Sequence, residues 1–157
     1  MELAIRNAIK AIIVRDGKVL LNKCKGYHGE LYYDLPGGGQ QQYETMEEAV
    51  VRECLEETGY LVKVVRFAAL AEEIYDSTEI RHKYVDYSHR VHHIFIVEFV
   101  DGILHEPTEI DFQQEECQWV NIKEISEIDL RPRQIKESFI KIISSTVPQY
   151  LGSIHMC

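Results

Sequence analysis

The chain predicts a single α+β domain over residues 1–157, a mixed sheet packed between helices as an α/β/α sandwich. Three observations carry that prediction. Apolar, β-branched runs recur on both sides of one strongly signalled helix, which points to layered sheet and helix. That helix carries its own start and stop signals. A second helical periodicity follows near the C-terminus. The length suffices to bury a proper core, and no repeat, low-complexity tract or linker marks a second domain.

In chain order, Ala8–Val14 is apolar and β-branched, Asp16-Gly17 follows, and Val19–Leu21 resumes the run. That pattern predicts a hairpin with an Asp-Gly turn. Lys23–Glu30 reads as a polar loop, and Leu31–Leu35 as a short strand ended by Pro36. Gly37-Gly38-Gly39 then permits backbone shapes closed to other residues. Thr45-Met46-Glu47-Glu48 is a capping-box pattern, so a helix starts near Thr45, and Gly59 is placed to end it. Tyr60–Ile74 is β-prone, with an expected break around Ala68–Ala71. Asp76–Asp86 reads as a loop or hairpin tip. Tyr87–Val100 is a buried strand, and Asp101-Gly102 a turn. His105–Gln114 reads as a polar loop, Cys117–Val120 as a last strand and Ile122–Ile128 as a short helix. Pro132 opens a final helix with Ile135, Phe139, Ile142 and Ile143 at helical spacing.

The formal net charge of −9 argues against a stable nucleic-acid partner, which needs many Lys and Arg contacts to phosphate. A phosphate-bearing small molecule remains compatible, because a metal ion supplies positive charge locally. No run of 18 apolar residues implies a membrane span, and the N-terminus lacks the layout of a signal peptide. Cys24, Cys54, Cys117 and Cys157 are scattered and form no CxxC pair, so a reducing cytoplasm is the expected setting.

Chemistry concentrates on the first helix. At about 100° per residue, Glu53, Glu56 and Glu57 share one face, with Ala49 one turn earlier in the same arc. A small residue there is expected to leave room above the helix. Val50, Val51, Cys54 and Leu55 are expected to face the core. Like charges this close repel, and a hard divalent cation with oxygen ligands relieves that repulsion.

Gly38, Glu44, Arg52, Glu53, Glu56, Glu57 and Gly59 together match the pattern Gly-x5-Glu-x7-Arg-Glu-U-x-Glu-Glu-x-Gly-U, where U is a bulky aliphatic. Gly38–Tyr60 thus resembles the Nudix box, with Cys54 and Tyr60 at the two U positions. The opening hairpin, the Leu35–Gly39 approach and the Trp119 strand before a C-terminal helix extend the resemblance along nearly the whole chain. It implies a hydrolase that cleaves the pyrophosphate of a nucleoside diphosphate linked to another moiety, such as a nucleoside triphosphate or nucleotide sugar, with Mg²⁺ or Mn²⁺. The implied metal ligands are Glu53, Glu56, Glu57 and the Gly38 carbonyl, with Glu56 or Glu57 also positioning water. Glu44, Arg52 and Gly59 are implied to be structural. The general base varies in the family; Glu115 and Glu116 are the candidates outside the box. His92 and His93 alternate on a strand, so one of them is expected to face inward, as a hydrogen-bonded core histidine in the leading reading and as a substrate contact in the other. Tyr32, Tyr33 and Tyr87 are candidates for base stacking, and Arg6, Arg81 and Arg90 for phosphate contact. A non-catalytic nucleotide sensor is the alternative function. Many relatives are dimers, so a homodimer using the Tyr60–Ile74 edge is a candidate assembly.

Overall fold

The structure, a computed structural model, describes residues 3–106 and 114–157, apart from the side chain of residue 115. The expected loop at residues 105–114 lies largely outside them. Nine strands are described: β1 (Arg6–Arg15), β2 (Lys18–Lys25), β3 (Leu31–Asp34), β4 (Gly37–Gly39), β5 (Tyr60–Tyr75), β6 (His89–Leu104), β7 (Gln114–Asn121), β8 (Leu130–Arg131) and β9 (Gln149–Met156). Three α-helices join them: α1 (Met46–Thr58), α2 (Thr78–Lys83) and α3 (Ile135–Ser144). The strand order is β8-β3-β2-β1-β6-β5-β9, with β4 on β1 and β7 on β2. β1 pairs with β4 and β6 along most of its length and with β2 only at Val14 and Arg15. It therefore connects a larger sheet (β1, β4, β6, β5, β9) to a smaller one (β2, β3, β7, β8).

Alternation along β1 explains the layers. Ile9, Ala11 and Ile13 face α1 and pack with Val50, Cys54, Val62 and Phe95. Ile12 faces the other way, toward α3, with Ala69, Ile94, Phe139 and Ile142. Strand side chains point to opposite faces in turn, so one strand serves both cores. The mixed sheet between α1 and α3 is the expected sandwich.

Local signals act as read. Asp16 (φ 52°) and Gly17 (φ 73°) form the hairpin turn in the left-handed region. Thr45 and Glu48 complete the capping box, and Gly59 (φ 79°) closes α1 in the left-handed conformation, its amide donating to the Leu55 carbonyl.

Several expectations are corrected. β5 is continuous through Ala68–Ala71; register shifts against β6, not a break, disturb its periodicity. Asp76–Asp86 contains α2, capped by Ser77. The chain keeps its strand through Asp101-Gly102. β9 follows α3 and pairs parallel with β5 from Ala69 to Tyr75, so it covers that half of the proposed dimer edge. Ala49 leaves no room above α1; it is fully buried in the core. Val51 packs against the core beside Val50 and Cys54 as expected, whereas Leu55 is half-buried.

Candidate active site

Glu57 sits at the centre. It is 3% exposed. Its Oε2 accepts from the Gly37 amide at 2.7 Å and from Asn22 Nδ2 at 3.3 Å. Such donors replace the water a carboxylate loses on burial. Glu53, one turn earlier, lies against Gly38. A Cβ on Gly38 would stand 2.8 Å from the Glu53 Cδ and both carboxylate oxygens. The glycine is thus what allows this carboxylate to approach the β4 backbone.

Arg52 gathers the other acids. Its Nε and Nη2 bind the two Glu44 oxygens at 2.6 and 3.0 Å. Nη1 donates to Glu53 Oε1 at 2.9 Å and Glu56 Oε2 at 3.1 Å, and Nη2 also to the Gly39 carbonyl at 3.2 Å. The two-pronged bond from Arg52 holds the Glu44 carboxyl below the usual carboxylate range, and Glu44 in turn raises the guanidinium.

Two residues brace the site from behind, Lys10 at the loop before β4 and Cys117 at Asn22 and Glu57. Lys10, 3% exposed, bonds Asp34 Oδ2 and the Leu35 and Gly37 carbonyls, each at 3.3 Å. Cys117 Sγ donates to Asn22 Oδ1 at 3.3 Å and to the Glu57 carbonyl at 3.4 Å. Burial, with the Glu57 charge nearby, pushes the Cys117 thiol up to about 11, so it serves as a neutral donor.

The structure brings Gly38, Glu44, Arg52, Glu53, Glu56 and Glu57 together. It does not bring Glu116 to them. Glu116 alternates with Cys117 on β7, so it faces away from Glu57, and it pairs with Lys23 at 3.5 Å with its side chain 54% exposed. The Glu115 side chain lies outside the described residues. His92 is a buried core histidine as expected, its Nε2 2.5 Å from Glu73 Oε1. Burial outweighs Glu73 and lowers His92 below its ordinary range. Burial raises Glu73, but the His92 hydrogen bond and the charges of His92, Arg90 and Arg133 more than offset it and hold that carboxyl at about 2.

Sequence reasoning missed Lys10, Asn22 and Gly37. Lys10 and Asn22 carried a signal, each a polar residue at the core of or closing an otherwise apolar strand run.

Among the described residues, no three His, Cys, Asp or Glu side chains converge on a single point. Glu53 and Glu56 converge on Arg52 instead. The donor set still fits a hard cation. It is all oxygen, and Mg²⁺ keeps several waters and binds through one or two carboxylates.

A model of the NUDIX domain matches residues 5–139. The chain belongs to the Nudix family. Its Nudix box, Gly38–Tyr60, is the β4–α1 unit just described. An "ADP-ribose pyrophosphatase" of Methanocaldococcus jannaschii is 49% identical over 57 residues, 36% of this chain and 34% of that protein. A "Putative nudix hydrolase 1" of Caenorhabditis elegans is 33% identical over 145 residues, 87% of this chain and 34% of that protein. The Nudix match thus spans about a third of the length of these curated relatives. A solved NUDIX hydrolase from Nitrosomonas europaea shares the Nudix fold at a TM-score of 0.72 with 17% identity, covering 92% of this chain and 93% of that one. Nudix hydrolases generally use divalent metals. No helix among the described residues is long and apolar enough to cross a membrane.

Proposed function

We propose that this chain is a metal-dependent pyrophosphohydrolase acting on a nucleoside diphosphate linked to another moiety. The observation that carries the reading is the packing of two carboxylates against the Gly37–Gly38 backbone, Glu57 on the Gly37 amide and Glu53 beside the Gly38 Cα. ADP-ribose is the first substrate to test, because a relative 49% identical over the shared segment bears that activity in its name.

In this reading Glu53, Glu56, Glu57 and the Gly38 carbonyl hold Mg²⁺ or Mn²⁺. When bound, the ion neutralises pyrophosphate oxygens and makes bound water more acidic. The protein does the rest. The Gly37 amide and Asn22 fix Glu57 in one orientation. Arg52 keeps Glu53 and Glu56 on the same side of the helix. Glu56 is the most exposed of the three, its side chain 25% accessible, and in this reading it helps position the attacking water. Glu116, facing away and paired with Lys23, has no part here. Glu44, Arg52 and Gly59 act structurally.

The test is turnover of ADP-ribose with Mg²⁺ by the parent and by Glu57→Gln. The variant keeps the shape and a hydrogen-bond acceptor but loses the charge. The reading expects a loss of about a hundredfold or more in kcat, on the scale of removing one preorganised electrostatic group. Unchanged turnover in a folded variant contradicts it. Tight nucleotide binding with no cleavage of any substrate favours the sensor alternative.

A further inference from the structure

A cavity of about 310 Å³ lies at the end of the larger sheet, apart from the site assigned above. Leu3 and Ile5 from the segment before β1, Ile74 of β5 and Val85 beyond α2 form most of its wall, with Ala4 between the first two. Ile74 pairs with His89 across β5 and β6, one register position from the Glu73–Arg90 pair. Strand alternation therefore puts Ile74 and His89 on the opposite sheet face from the buried Glu73 and His92. No residue of Gly38–Tyr60 lines the cavity. Its volume is at the small end of the range for small-molecule sites, which are mostly apolar with a few placed polar groups.

Folding alone does not account for two features of this corner. α2 buries none of its side chains, so no core packing holds it in place. Leu3 and Ile5 are 78% and 56% exposed, although both border the cavity. Apolar side chains at such a rim leave water when an apolar ligand fills the space, and that transfer is favourable.

Three polar side chains share the wall, Arg81, Ser88 and His89. Two are committed elsewhere. Ser88 Oγ donates to the Val85 carbonyl at 2.8 Å, and His89 Nε2 lies 2.8 Å from Glu72 Oε2. Arg81 is only partly used. Its Nε donates to the Tyr75 carbonyl and its Nη2 to Asp76 Oδ1 at 3.3 Å, an oxygen that also lies 2.9 Å from His155 Nδ1. Arg81 Nη1 has no partner among the described residues. Asp76 and Glu72 balance charge nearby, but neither lines the cavity. The permanent charge on the wall is thus a guanidinium, whose planar donors match a carboxylate.

We infer that this cavity binds a medium-chain carboxylate, with its chain against Leu3, Ile5, Ile74 and Val85 and its carboxylate on Arg81. An apolar chain with one anionic end meets both features in one piece. The chain covers the exposed rim, and the head takes the spare donor. Binding there is independent of the hydrolase reading, since no residue of that machinery lines the cavity.

The full chain is titrated by calorimetry with octanoate, hexanoate and octanol. Octanoate should bind at one saturable site. Hexanoate should bind about tenfold more weakly, the scale of two buried methylenes. Octanol keeps the chain and lacks the charge, and should also bind about tenfold more weakly. Arg81→Gln should bring octanoate down to the level of octanol and leave octanol unchanged. Ala4→Phe, at an exposed residue, fills the space and should weaken both. Thermal melts confirm that the variants fold. In methyl NMR spectra of the parent, the signals of Ile5, Ile74 and Val85 should move as octanoate is added. No saturable octanoate binding, octanol held as tightly as octanoate by the parent, or octanoate binding unchanged in Ala4→Phe overturns the inference.

Discussion

Replacing Arg52 by Met tests the electrostatics of the box most sharply. The substitution keeps an aliphatic stem and removes the cation. Five hydrogen bonds go with it, to both oxygens of Glu44, to Glu53, to Glu56 and to the Gly39 carbonyl. The Arg52 side chain is 22% exposed, and those of Glu44 and Glu53 are 12% and 14%. An exposed ion pair is worth under about 1 kcal/mol, whereas removing one partner of a buried pair costs about 3–5 kcal/mol. The partial exposure places this cluster between the two, near 2–4 kcal/mol. For a chain of this size that lowers Tm by about 5–15 °C. The assay is a circular-dichroism melt at pH 7, with and without Mg²⁺. Mg²⁺ should stabilise the variant more than the parent, because the ion then neutralises carboxylates that Arg52 otherwise neutralises. A variant melting within about 2 °C of the parent would refute the reasoning, since a shift that small is under about 1 kcal/mol.

Three further outcomes follow from the geometry. Gly38→Ala should spare the fold and damage the site, because the three atoms nearest the new Cβ all belong to the Glu53 carboxylate, at 2.8 Å; Mg²⁺ affinity and turnover should fall while Tm holds. Gly37→Ala should instead lower Tm strongly, because its Cβ would stand 1.9 Å from the Ile9 carbonyl oxygen and φ is 139°; a melt separates the two variants. Glu73 is held at about 2 against an ordinary value of 4.5, so its contribution to stability is full above about 4.5 and is lost as the pH falls toward about 2. Chemical denaturation across that window should show a steeper acid loss in the parent than in Glu73→Gln.

The parts of the fold that were legible in the sequence are those written in local chemistry. The Asp16-Gly17 turn, the Thr45–Glu48 capping box and Gly59 each need only their own neighbours, and each appears where the sequence placed it. The acidic face of α1 was legible because three glutamates at close helical spacing demand an explanation. The misses are positions where tertiary context decides. α2 buries no side chain, so it carries no apolar periodicity to read. β5 keeps its ladder through register shifts that scramble its alternation. β9 mixes half-buried and exposed residues around Gly152, which hides a strand held by its pairing to β5. In the site, Lys10 and Asn22 became visible as partners of β4 and Glu57 only once β1, β2 and α1 were brought together. Glu116 looked suitable because it is acidic and near the Trp119 strand, but strand alternation turned it away.

The most direct measurement of the central claim is product analysis after incubation with ADP-ribose, nucleotide sugars, nucleoside di- and triphosphates and dinucleoside polyphosphates, each with Mg²⁺ and with Mn²⁺. The account predicts cleavage of a phosphoanhydride bond in one class, lost on adding chelator and lost in Glu57→Gln. Cleavage that persists in chelator or in that variant would contradict it.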